Sequence, residues 1–384
     1  ALQFGKRIKW WQRLKGAITM KIKHFLIVAM SLSFLSGCGN LNKGITNINE
    51  GEETASGNIT TGRVDNSVYQ AVMTDGKYQP SAARGLNAEQ MNSGFNQTNF
   101  ENGLLRLSKQ TFSVDTCYFQ EGQKIPADTI KNWLKRVSDD NPQGLNPAGS
   151  DQPLIFQQLM EQDFIKEDGK TLAGISLGFA FNTVYYGSDE TISISRDEWM
   201  ANARKTVNAV LTQVRKIKGL ETVPIVIGLF EQAAKDDIAG GNYVYQAVSQ
   251  DGGTTIDQYE KVAEAHIILP VAAGVTNAAT DDGLDNKFKT FRDAVISFFP
   301  DLSGVTGNAY YVDDQLQKLV LKVESNYYSK TEITSFVQYS AKQVESVFKG
   351  VPGEIEVQVG SLGKQQAFIA RKDGAEKIET YIFN

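Results

Sequence analysis

The sequence predicts an α+β protein of two lobes, each with helices packed on a small mixed or antiparallel sheet, and three observations carry that prediction. An order of helix, strand, helix, strand occurs twice between residues 153 and 360. The two periodicities sit in separate segments: Trp199, Ala203, Val207, Val210 and Val214 recur at helical spacing, whereas residues 354–359 alternate apolar and polar without a fault. The third observation is length, because the 347 residues that follow residue 37 suit about two domains with full cores.

Taken in order, residues 1–19 carry Lys6, Arg7, Lys9, Arg13 and Lys15 and read as an over-called N-terminal extension ahead of Met20. Lys21 and Lys23 then precede eleven uncharged residues, 25–35, followed by small residues and Cys38. That is the charged, apolar and small-residue sequence of a secretory signal, here residues 20–37. The apolar run is far below the roughly 20 residues that cross a bilayer, so it reads as a removable leader. Its ending, Leu35-Ser36-Gly37-Cys38, resembles the lipobox of bacterial lipoproteins. The resemblance implies diacylglycerol on the Cys38 thiol, cleavage just before Cys38, and an anchor on the outer face of the cell membrane. Its implied partners are membrane lipid, the signal peptidase and the lipoprotein acyl-transfer machinery. Each buried methylene adds ~0.8 kcal/mol, so two or three acyl chains hold where one does not.

Residues 38–65 are rich in Asn, Gly, Thr and Glu without a period and read as a flexible tether. A tether of this length spans roughly 25–30 Å. An N-terminal lobe is expected over residues 66–275 and a C-terminal lobe over 276–384. Within the first, residues 88–91, 99–109 and 127–137 read as helices, and 112–119 alternates like a strand. The repeated order then assigns 153–164 to a helix, 172–184 to a strand, 195–218 to a long helix and 223–230 to a strand. Ser195 with Glu198 reads as a capping box, and Gly219 supplies a stop. The second pass reads helix 286–299, strand 319–324, helix 330–349 and strand 354–360. Residues 366–370 and 378–383 read as two closing strands.

Residues 1–37 hold seven Lys and Arg and no acid, so their removal takes the formal net charge from −5 to −12. Such an acidic chain is a poor match for nucleic acid or a polybasic membrane contact, which need Lys and Arg clusters. Beyond Cys38 only Cys117 remains, so no internal disulfide is expected, and with His24 in the leader His266 is the one histidine after residue 37. One Cys and one His fall short of a zinc site. Neither metal nor cofactor is expected.

Gly174-Ile175-Ser176-Leu177-Gly178 matches the nucleophile pattern G-x-S-x-G, with His266 downstream. The serine of that motif needs a sharp strand-to-helix turn, yet Ile175, Leu177, Phe179 and Phe181 alternate straight through it. The pattern reads as an uninterrupted strand, and His266, inside Ala265-His266-Ile267-Ile268-Leu269, as a strand histidine. Polar and aromatic residues beside turns form the candidate ligand cleft: Arg84, Glu101, Arg106, Glu121, Asn146 and Asn182, joined by Gln120, Tyr185, Tyr186, Tyr310, Tyr311 and Gln338. Converging, they would suit a carbohydrate or peptide of the cell envelope.

Ala83-Arg84-Gly85-Leu86, Phe100-Glu101-Asn102-Gly103-Leu104-Leu105-Arg106-Leu107, Gln120-Glu121-Gly122-Gln123, Gly144-Leu145-Asn146-Pro147, Val223-Pro224-Ile225 and Phe299-Pro300 resemble, in this order, the CamS-type sex pheromone lipoprotein precursors of low-GC Gram-positive bacteria. The resemblance implies export and lipid anchoring, with the end of the cleaved leader trimmed to a short peptide that stimulates plasmid transfer. Carried onto this chain, that peptide is Ser31, Leu32, Ser33, Phe34, Leu35, Ser36 and Gly37. The expected function is therefore a membrane-anchored extracytoplasmic lipoprotein with a ligand-binding body and no expected catalysis. The alternative is a cell-envelope hydrolase using Ser176 or an acidic pair.

Overall fold

The computed structural model describes residues 46–47 and 58–383, except 64, 85, 87–90, 189, 299–301 and 327–328. Cys38, the peptide Ser31 to Gly37 and most of the expected helix 88–91 lie outside the described residues. The chain opens with β1 (Thr46–Asn47), β2 (Asn58–Thr60), β3 (Val72–Thr74) and β4 (Lys77–Tyr78), which form a small antiparallel sheet. Helix α1 (Gly94–Ser108) follows.

The first lobe is built from β5 (Cys117–Glu121), α2 (Ala127–Trp133), β6 (Phe156–Lys166), β7 (Leu172–Asn182), a ribbon of β8 (Val184–Tyr186) and β9 (Thr191–Ser193), α3 (Arg196–Val214), β10 (Ile225–Gln232), β11 (Asn242–Ser249) and β12 (Glu260–Lys261). The second uses β13 (Glu264–Leu269), the short α4 (Ala278–Asp281), α5 (Leu284–Phe298), β14 (Leu302–Val312), β15 (Gln315–Ser325), α6 (Lys330–Val347), β16 (Glu354–Ser361), β17 (Lys364–Arg371) and β18 (Glu379–Ile382). Their sheets run β5-β6-β7-β10-β11-β12 and β13-β14-β15-β16-β17-β18. In each, every neighbouring pair is antiparallel except the central one, β7 with β10 and β15 with β16.

Apart from the β8–β9 ribbon of the first lobe and the short α4 of the second, both lobes follow one order, strand, helix, two strands, helix, three strands, and the α+β two-lobed architecture is the one the sequence predicts. The parallel pair is bridged by α3 in one lobe and α6 in the other, as a parallel pair requires. Strand β13 precedes residue 276 and pairs with the second sheet.

Three expected elements of the first lobe differ, one of them in kind. Residues 153–164 read as a helix, and the structure places strand β6 there. The run Gln157 to Gln162 is rich in helix formers, but the strand is held between β5 and β7 and buried on both faces. Tertiary burial overrides the local preference. The helix that corresponds to α5 is α2, which ends at Trp133 rather than 137. The strand expected over 112–119 is the later β5, and residues 113–117 begin with a turn closed by Cys117 N–H on Ser113 C=O.

The long helices match their sequence signals. Ser195 caps α3 by accepting the Glu198 N–H, and Trp199, Ala203, Val207, Val210 and Val214 are buried on one stripe. Ser329 and Glu332 form a reciprocal capping box on α6, whose Phe336, Val337 and Val344 face the second sheet. Fully burying a large apolar side chain such as these is worth about 1.5–3 kcal/mol. A buried arginine clamps the loop after each crossover helix. Arg215 donates to the Leu220 and Val223 carbonyls, at 2.8 and 2.7 Å, and Arg371 donates to the Phe348 carbonyl at 2.7 Å and to the Val351 carbonyl.

The lobes differ on their second faces. In the first, α1 covers the sheet with Phe100, Leu104 and Leu107. Close approach is possible because Gly103, Gly178 and Gly228 leave room for the Tyr243 ring. A Cβ on Gly103 or Gly228 would come within 2.5 Å of that ring. The Tyr243 hydroxyl donates to the Phe100 carbonyl at 2.9 Å. In the second lobe α5 and α6 cover one face, and the other side of the central pair carries Lys318, Val320 and Lys322 opposite Glu354, Glu356 and Gln358. That face is open and polar.

Candidate functional site

A cleft of ≈620 Å³ lies where the outer side of α1 meets the open face of the second sheet. Phe95, Thr98, Asn99, Asn102 and Arg106 of α1 form one wall, with Ile238. The loop carrying Ile238 is tied to α1 by two asparagines. Asn96 Oδ1 accepts the N–H groups of Ala233 and Gly241 at 2.9 and 2.8 Å, and Asn99 Nδ2 donates to the Ala239 carbonyl at 2.9 Å. Phe95 and Ile238 stay 45% and 54% exposed at its mouth, a large apolar display for a polar rim.

The floor is one face of β13 to β16. Strand alternation puts His266 and Ile268, Thr306, Asn308 and Tyr310, Lys318, Val320 and Lys322, and Gln358 on that side. His266 stands opposite Tyr310 in the ladder, with ring centroids 4.8 Å apart. The Arg106 guanidinium covers the same tyrosine at 4.9 Å and pairs with Glu264, whose side chain is 3% exposed.

This layered contact joins the lobes and sets the local charge. Burial pushes the Glu264 carboxyl up, and the Arg106 guanidinium pulls it back. Burial draws His266 down to about 4, opposed by its hydrogen bond with Asn308 and aided by the Arg106 charge, so the imidazole is neutral at pH 7. Burial also raises the Tyr310 phenol, so it too is neutral. Burial works against the Lys318 charge, but Glu356, 2.8 Å away, and Glu354 outweigh it and hold that lysine above its ordinary value.

Of the first six residues expected to line a ligand cleft, Arg106 lines this one, and the other five are placed elsewhere. Glu101 is exposed on α1. Arg84 pairs with Glu121 at 3.5 Å, and Glu121 also accepts the Tyr78 hydroxyl and the Ser81 N–H. Asn146 is 2% exposed and spans two segments, donating to the Leu134 and Phe156 carbonyls and accepting the N–H groups of Ile155 and Phe156. Asn182 donates to the Leu154 carbonyl and accepts from Gln232 Nε2. Tyr311 points into the second core and donates to Asp282, whereas its neighbour Tyr310 reaches the cleft. The remaining floor residues were not singled out from sequence as ligand contacts. Their signal was the alternation of polar and apolar residues in β14 and β15.

Ser176 is buried in mid-strand, where its hydroxyl receives a 2.7 Å hydrogen bond from Ser108. It sits on no turn and faces α1, and His266 belongs to the other sheet. Glu161 and Asp163 form a buried acidic pair. Glu161 accepts the Lys124 and Ile125 N–H groups and Asp163 the Gln123 N–H, all at 3.0 Å. Burial raises both carboxyls, Asp163 further because of the Glu161 charge. The pair pins the turn after Glu121, where a Cβ on Gly122 would lie 2.5 Å from Glu161. Among the described residues no group of three or more His, Cys, Asp or Glu could hold a metal ion. No helix among them is long and apolar enough to cross a membrane.

Comparison with known proteins covers both lobes. The family model for the CamS sex pheromone cAM373 precursor matches residues 78–377. A solved sex pheromone precursor from Lactobacillus salivarius subsp. salivarius UCC118 is 33% identical with a TM-score of 0.80, over 85% of this chain and 99% of that one. The C-terminal domain of the sex pheromone staph-cAM373 precursor from Staphylococcus aureus is 25% identical with a TM-score of 0.66, over 77% of this chain and 99% of that one. No match is found among curated proteins. The chain belongs to the CamS sex pheromone cAM373 precursor family.

Proposed function

We propose that the two-lobed body is a ligand-binding module held at the outer face of the cell membrane through lipid on Cys38, with its ligand in the cleft between α1 and the second sheet. The observation that carries this reading is the unequal covering of two sheets of one topology. The first sheet is closed by α1, and the second presents Asn308, Lys322 and Gln358 on its open face. Its volume falls within the ~300–1,000 Å³ of ordinary ligand pockets. Cleavage before Cys38 would release the leader, and Ser31 to Gly37 would then serve as the pheromone-like peptide; family membership supports that reading. Hydrolysis by Ser176 is disfavoured, because its hydroxyl is sealed beneath α1.

The test uses protein purified from its host membrane, with intact mass measured first. A chain beginning at an acylated Cys38, and a Cys38→Ala variant lacking the acyl mass, are the expected results. Unmodified protein contradicts the anchor. The same preparation is melted with and without a soluble digest of the host envelope. A ligand raises the melting temperature of the state that binds it. Wild type should gain stability, and Thr306→Trp, which fills the cleft from an exposed floor position, should gain none. Equal gains in both proteins, or none in either, contradict the cleft reading.

A further inference from the structure

The cleft lining includes three cations, Arg106, Lys318 and Lys322, and no carboxylate, in a chain of formal charge −5. Two of the cations are answered from outside the lining: Arg106 by Glu264, and Lys318 by Glu356 and Glu354. Lys322 has no carboxylate within 4 Å among the described residues. Its ladder neighbours are Thr306 on one side and Gln358 on the other. Lys322 is thus left without an ion-pair partner to attract an anion from solution, although Glu356, which accepts from Gln358 Nε2 at 2.6 Å, lies on the same face and feels its charge.

The backbone of the floor narrows the ligand class. Strands β14, β15 and β16 are each paired on both sides, so their N–H and C=O groups are committed to the ladder. A peptide laid on β14 to β16 finds no free backbone edge for strand addition, the usual source of peptide affinity on a sheet; among the described residues of the floor only the outer strand β13 pairs on one side alone. What the cleft offers is carboxamides and hydroxyls, from Asn102 on its wall and Thr306, Asn308 and Gln358 on its floor. Sugar hydroxyls both donate and accept, as these groups do. Phe95 and Ile238 supply an apolar surface for the C–H face of a sugar ring.

Building on the reading of this cleft as a ligand site, we infer that its occupant is an anionic oligosaccharide, with its acid group on Lys322 and its hydroxyls on Asn308, Gln358 and Thr306. Carboxylate and phosphodiester sugars share this chemistry. The side-chain set favours either over a neutral glycan, because a charge-assisted bond is about twice as strong as a neutral one.

Titration calorimetry of the full-length chain in detergent, at fixed low salt, tests the assignment. The probes are a short oligogalacturonate, a neutral galactan of the same length, and an oligo(glycerol phosphate). At least one anionic probe should bind, with the galactan about tenfold weaker. Which anion binds distinguishes carboxylate from phosphate. Lys322→Gln should weaken the anion about tenfold, and Lys349→Gln, beyond the end of α6 on the covered side, should leave it unchanged. Galactan binding as tightly as the anions, or equal losses in the two lysine variants, overturns the anionic assignment. If the galactan still binds in the cleft, the cleft reading survives that result. Binding of none of the three probes also overturns it, and the envelope-digest melt then decides separately whether the cleft holds another ligand.

Discussion

At the scale of single residues, His266 makes the most direct link between burial and behaviour. Its folded-state value of about 4 lies below the ordinary 6.5, so the unfolded chain binds the extra proton more readily. The stability His266 contributes is full above about pH 6.5 and is lost as pH falls toward 4, by up to about 3 kcal/mol. Glu161 and Asp163, both raised, act with the opposite sign, favouring the folded state at lower pH. Urea unfolding of wild type and His266→Gln at pH 7 and pH 4.5 separates the two. Wild type should lose more stability than the variant on acidification, and equal losses would remove the assignment to His266. Little of this residue's role was legible in the sequence. Its strand setting was readable from Ile267 and Leu269, but its partners Arg106 and Tyr310 are brought from another helix and another strand.

Among the elements, α1 does the most to divide the molecule into a closed face and an open one. Its apolar positions Phe100, Leu104 and Leu107 were readable as a helical stripe, and the structure buries all three. The reason for Gly103, Gly178 and Gly228 was not readable, because their shared neighbour Tyr243 lies on β11, a strand the sequence did not signal. Gly228→Val should drive the Tyr243 ring out of place and cost roughly 1–3 kcal/mol as overpacking. Gly304→Val, on β14 with nothing within 4 Å of its would-be Cβ, should cost much less. Denaturant midpoints of the two variants decide it, and similar midpoints would sink the account of how α1 seats. Strand β6 shows where local reading fails: Leu159, Met160 and Glu161 favour a helix in isolation, and only neighbours on both sides make them a strand.

For the whole molecule, the second half of the doubled order was legible in both lobes, a capped amphipathic helix followed by an apolar or alternating strand. The first helix of the order, read at 153–164, is instead strand β6. The cleft was not legible, since Arg106, His266, Asn308, Lys322 and Gln358 are gathered from one helix and four strands across both lobes. The account turns on the open face of the second sheet being the working surface. Hydrogen–deuterium exchange of the membrane-purified protein, with and without the envelope digest, tests this most directly. Ligand should slow exchange in α1 and in β13 to β16 and leave α3 and β6 unchanged. Protection confined to the covered faces, or to the small N-terminal sheet β1 to β4, would contradict it.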